Sequence, residues 1–196
     1  LGMPRTDAYI GKKKGDGGTV LAQKIAYLYM PTFRNSDETM FPDIDWDLID
    51  NQLDDAELFV IKAHPETKTH INKTYKHIIE IKNTEPTAPY LYDCDAVVTD
   101  YSSIMFDAYL LNIPVVLFEK KPGYTETRGM YMKYPDQYCS RYAINEIGML
   151  TLLRTSISLG LNKAERDCLS IVADKCDGHS CERICKLIDD LNKGGE

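Results

Sequence analysis

No stretch of this 196-residue chain reaches the roughly 18–20 consecutive apolar residues needed to cross a bilayer. Residues 1–30 also lack the basic, apolar and small-residue order of a secretory signal. Both absences point to a cytoplasmic protein and leave attachment at a membrane surface open. Positive charge is in short supply: 23 Lys and Arg stand against 30 Asp and Glu, for a net charge of −7. A broad nucleic-acid footprint needs the opposite balance on one face, so the expectation is no nucleic acid, and a bound anion needs local cations. Repeats and low-complexity segments are missing too, and 43% apolar with 27% charged residues is the composition of one ordinary globular domain.

Cysteine is present, but the patterns that usually give it a role are not. Cys94, Cys139, Cys168, Cys176, Cys181 and Cys185 come with no sign of secretion, and four of them crowd into a helical-looking tail, so they read as reduced thiols. The spacings of Cys176, His179, Cys181 and Cys185 match no zinc pattern, and Cys181 and Cys185 are simply one helical turn apart. No metal and no cofactor are expected.

What the chain does contain is a series of short β-rich apolar runs at 25–30, 58–61, 77–81, 96–99 and 115–118. Helices fit between them at 46–54, 64–75 and 103–111, and a helical tail over 144–191 is broken near Asn162 and Gly178. Strands alternating with helices predict an α/β fold with a parallel, Rossmann-like sheet of about five strands and a helical C-terminal tail. In such a sheet ligands bind at the carboxyl ends of the strands. The loops 31–34, 62–65, 99–103 and 119–128 would therefore share one rim, and they carry Arg34, His64, the Ser102–Ser103 pair and Arg128.

Each of these residues has an ordinary and a functional reading. Ser102 and Ser103 fall where a helix cap belongs, and they serve either as caps alone or as part of a phosphate cradle at a helix start. His64, fixed by the following Pro65, is a general acid or base, a donor to phosphate, or a surface histidine. Arg34 and Arg128 offer planar forks to phosphate oxygens or to surface carboxylates, and Gly129 lets the backbone come close to a ligand. Phe33, Tyr124, Tyr131 and Tyr134 either stack on a base or pack at an interface.

Several of these residues sit in longer motifs. The stretches 4–7 (Pro-Arg-Thr-Asp), 28–34 (Leu-Tyr-Met-Pro-Thr-Phe-Arg), His64-Pro65, 95–107 and 124–131 resemble, in order, the motifs of the CDP-glycerol glycerophosphotransferases that build teichoic-acid-type polymers. The resemblance covers most of residues 1–134 and implies the C-terminal, donor-binding half of a GT-B fold. Residues 1–196 would then be a single Rossmann-like domain of a longer chain whose N-terminal acceptor domain is absent.

The resemblance also implies a chemistry. The donor would be CDP-glycerol or CDP-ribitol, with its pyrophosphate on Ser102 and Ser103, helped by Arg34, Arg128 and Gly129, and with His64 near the transferred phosphate. A polyol phosphate would pass to the hydroxyl of a lipid-linked acceptor, releasing CMP. A second histidine from the acceptor domain would serve as base, and the full-length protein would work peripherally at the inner membrane face. Residues 135–141 depart from the Gly- and Pro-rich stretch usual in the family. Two other classes remain open: a nucleotide-sugar glycosyltransferase on the same fold, and a non-catalytic domain that holds a partner protein.

Overall fold

The computed structural model describes residues 1–32, 44–67, 70–120, 132–139 and 141–193. Among them run six strands: β1 (Ile25–Tyr29), β2 (Glu57–Ile61), β3 (Ile78–Glu80), β4 (Ala96–Thr99), β5 (Val115–Phe118) and β6 (Tyr142–Ala143). All pair in parallel, in the order β3-β2-β1-β4-β5-β6. The described helices are α1 (Trp46–Gln52), α2 (Ala88–Asp93), α3 (Ile104–Leu110), α4 (Glu146–Leu159), α5 (Lys163–Val172) and α6 (Ser180–Lys193). None is long and apolar enough to cross a membrane.

The central strands are apolar throughout because both faces of the sheet are covered. Leu28, Val60, Val97 and Leu117 point into one core with Leu91 of α2, Met105 and Tyr109 of α3 and Cys168 of α5. The alternate residues Tyr27, Phe59, Val98 and Val116 point into the other, against Ile49 of α1 and Leu150 and Leu153 of α4. The expected parallel sheet is therefore present, with one more strand than the five expected.

Helix 64–75 is a correction. Residues 64–67 form a turn closed by the Thr67 N–H on the His64 carbonyl at 2.9 Å, and the described residues from 70 to 77 are irregular. Glu80 accepts the Ile71 N–H that a helix would have used, and Asp50 accepts from Lys76 and His77 just beyond the segment. Helix α2, the short strand β6 and two 3-10 turns, at Pro4–Tyr9 and Val20–Gln23, were not foreseen.

The first of those turns contains the Pro-Arg-Thr-Asp motif, and its contacts are structural. Arg5 pairs with Asp107 of α3 at 3.1 Å, while Asp7 accepts from the N–H groups of Ser180 and Cys181 at the start of α6. These backbone bonds, that of Cys181 foremost, hold the Asp7 carboxyl down at about 2. The loop that follows wraps Asp93, which accepts from the N–H groups of Gly15, Gly17 and Thr19 and from the Thr19 hydroxyl. Burial pushes this carboxyl up, but the four bonds outweigh it and the net shift is downward. Glycine is required at position 17, where a Cβ would lie 1.9 Å from the Pro89 carbonyl.

Candidate active site

The direction of strand succession reverses between β1 and β4, and a crevice opens at their carboxyl ends. Both strands are stitched together there. Thr99 Oγ1 donates to the Met30 carbonyl at 2.6 Å, and the Met30 N–H donates to the Val98 carbonyl at 2.8 Å. Buried Asp100 completes the join by accepting from Thr32 N–H (2.8 Å), Thr32 Oγ1 (2.5 Å) and its neighbour Tyr101 N–H (2.7 Å). One carboxylate thus sets the mutual position of the β1 and β4 loops. Asp100→Ala is expected to lower stability by about 2 kcal/mol, since three bonds to a charged acceptor vanish together, and urea unfolding measures it.

Beside this join lies a groove of about 500 Å³ whose walls include Met30, Pro31, His64, Asn83, Thr87 and Ser102. His64 and Ser102, 38 positions apart in the chain, therefore meet on one rim as the sequence predicts. His64 is exposed and its Nδ1 accepts the Glu66 N–H at 3.2 Å. A ring nitrogen that accepts carries no proton, so in the neutral imidazole the proton belongs on Nε2. In that tautomer Nε2 is a hydrogen-bond donor.

Half-buried Ser102 has its Oγ 3.4 Å from the Ile104 N–H, a long capping contact. Ser103 is the residue before α3, exposed and with no side-chain capping bond, and it lies outside the groove lining. The capping reading thus falls to Ser102, though only weakly. Arg34, Arg128 and Gly129 lie outside the described residues, as do Phe33, Tyr124 and Tyr131.

Tyr134 does lie among the described residues, and its ring packs against Tyr101 at 4.9 Å and edge-on to Tyr142 at 6.1 Å. The Tyr101 contact ties it to the loop after β4. Two described residues of the 135–141 stretch have structural contacts: Cys139 is buried and the Arg141 guanidinium reaches Glu165. Among the described residues no group of three or more His, Cys, Asp or Glu is placed to hold a metal ion.

Sequence comparison identifies the family of the chain. Residues 1–190 match the profile of the CDP-Glycerol:Poly(glycerophosphate) glycerophosphotransferase family. The chain belongs to that family. It is 28% identical to the teichoic acid poly(ribitol-phosphate) polymerase of Bacillus spizizenii, over 95% of this chain and 32% of that protein. Identity to the teichoic acid glycerol-phosphate primase of Bacillus subtilis is 26%, over 97% of this chain and 51% of the relative.

The family fold agrees as well. The wall teichoic acid polymerase TagF superposes with a TM-score of 0.72 at 21% identity, covering 99% of this chain and 52% of TagF. A TagF variant soaked with CDPG superposes at 0.71 and 20% identity, over 98% of this chain and 52% of that one. The chain thus spans between about a third and a half of these relatives, with the α/β architecture expected of one half of a GT-B protein.

Proposed function

We propose that this chain is the donor-binding half of a polyol-phosphate transferase acting in teichoic-acid-like or capsular polymer synthesis. The donor is CDP-glycerol or a related CDP-polyol. The observation that carries this reading is the meeting of His64 and Ser102 on one groove beside the β1/β4 crevice, in a chain of this family.

In the reaction an acceptor hydroxyl oxygen bonds to the polyol-bearing phosphorus while the bond from that phosphorus to the bridging oxygen breaks. CMP departs with the electron pair, and the hydroxyl proton goes to a base that the reading assigns to the acceptor half, together with the lipid-linked acceptor. The task of the donor half is to hold the diphosphate in place and to neutralise charge as it shifts toward CMP. His64 Nε2–H donates to a phosphate oxygen, Ser102 presents its hydroxyl and adjacent backbone, and Ser103, Arg34, Arg128 and Gly129 complete the cradle.

Calorimetric titration with CMP and CDP-glycerol tests the assignment. Wild type is expected to bind in the micromolar to millimolar range, and His64→Ala, Ser102→Ala and Arg128→Ala each to weaken binding about tenfold, the worth of one charge-assisted hydrogen bond. Equal affinity in all four proteins would remove the proposed site. Tighter binding of a sugar nucleotide than of CDP-glycerol would favour the glycosyltransferase reading.

A further inference from the structure

Lys62 is the first residue beyond β2, and its N–H continues the sheet by donating to the Tyr29 carbonyl at 2.9 Å. Its side chain lines the same groove as His64 and Ser102, yet the residue is only 2% exposed. Among the described residues Nζ has two hydrogen-bond partners, the carbonyls of Lys82 at 3.5 Å and Asn83 at 3.3 Å. Both distances exceed the 2.7–3.2 Å of an ordinary N–H···O bond.

Several other buried charges in this protein have an oppositely charged partner. Glu57 has Arg154, Glu165 has Arg141 and Asp107 has Arg5, each within ion-pair distance. Among the described residues no carboxylate stands within that distance of Lys62. Glu85 acts on it only through its field, and burial, the larger influence, lowers the lysine's hold on its proton. A buried ammonium without an anion is unfavourable, and a fold that keeps one at the mouth of a ligand groove has a use for it.

We infer that Lys62 is the cation that receives the diphosphate of the incoming nucleoside diphosphate, with His64 donating to it from the same groove. The inference rests on the proposed donor-binding role. A phosphate oxygen offers the ammonium a negative charge at ion-pair distance, which no described residue supplies, and the ammonium gives the ligand a partner that is already desolvated and placed. The competing account makes Lys62 a clip that ties the β2 loop to the β3 loop through the two carbonyls.

Two variants, Lys62→Met and Lys62→Gln, separate these accounts when each is titrated with inorganic pyrophosphate and with CDP-glycerol and melted without ligand. As a ligand cation, Lys62 predicts that both variants bind pyrophosphate at least tenfold more weakly while their melting temperatures equal or exceed that of wild type. As a clip, it predicts that Lys62→Met melts lower and that Lys62→Gln, which keeps a donor for the carbonyls, recovers both melting temperature and affinity. That result overturns the inference, as does unchanged pyrophosphate affinity in either variant or a wild type that does not bind pyrophosphate. If wild type binds pyrophosphate in a Lys62-dependent way but shows no preference for CDP-glycerol, the donor reading fails and the cation assignment stands.

Discussion

Glu165→Ala is expected to destabilise the protein by about 3–5 kcal/mol, the range seen when one partner of a buried ion pair is removed. Glu165 has no solvent exposure, and both its carboxylate oxygens lie 2.8 Å from Arg141 Nη1. The same carboxylate accepts from the N–H groups of Val115 and Asn162, at 3.2 and 2.7 Å, and from the Cys139 thiol at 3.4 Å. Burial, reinforced by this carboxylate, pushes Cys139 up to about 12, so the sulfur stays a protonated donor. Alanine would strand the guanidinium with the Gly160 carbonyl as its remaining partner among the described residues, and would orphan the N–H at the start of β5.

Urea unfolding at neutral pH measures this loss, and a decrease below about 1 kcal/mol would show that the network contributes little. The double variant Glu165→Leu with Arg141→Met should lose less than the sum of the single changes, because neither charge is then left unpaired. Position 165 also starts α5 through a reciprocal cap with Asn162, so part of the loss belongs to the helix itself.

Such networks were not legible in the sequence, and the reason is distance along the chain. Arg141 and Glu165 are 24 positions apart, Glu57 and Arg154 are 97 apart, and Thr19 and Asp93 are 74 apart. Spacing rules link residues within a turn or a few strand positions, so they do not reach these pairs. The strands were legible because β1, β2, β4 and β5 are nearly continuous apolar runs whose burial on both faces leaves no polar alternation. Strand β6, two residues long, leaves no pattern. The 64–75 segment misled because the Ile71–Tyr75 spacing suits a helix, whereas Glu80, from β3, takes the Ile71 N–H.

The rim was legible for a different reason. A parallel sheet places every loop that follows a strand at the same edge, so knowing the strands fixes the neighbourhood of His64 and Ser102 without any knowledge of side-chain contacts. Which loop residues face the groove does depend on such contacts. Lys62 and Asp100 take their roles only in the folded chain, one as a buried cation on the groove and the other as the join between its loops. Arg34, Arg128 and Gly129 lie outside the described residues, and of these three Arg128 is the one that the titration of Arg128→Ala tests.

Acid should expose the second large effect. Glu57, at the start of β2, accepts from Arg154 Nε (2.8 Å) and Nη2 (2.6 Å), from the Tyr27 hydroxyl (2.5 Å) and from the Asp54 N–H (3.1 Å). Burial alone would raise its carboxyl, but the Arg154 fork and the other donors outweigh burial and bring it from 4.5 down to about 2. A depressed folded-state value means the native state holds the proton less tightly than the unfolded chain does. The associated stability is complete above pH 4.5 and drains away as pH falls toward 2. The shift corresponds to about 3 kcal/mol, discounted toward about 2 because the Arg154 side chain is 41% exposed and its charge is screened. Unfolding of wild type and Glu57→Gln, compared from pH 7 to pH 2.5, isolates this contribution from the other carboxylates. The gap should be widest near neutrality and close below pH 4.5, because a neutral glutamine gains nothing from charge in either state. A gap that stayed constant across that interval would mean that the carboxyl is not held low, and that Arg154 contributes packing against β2 rather than charge.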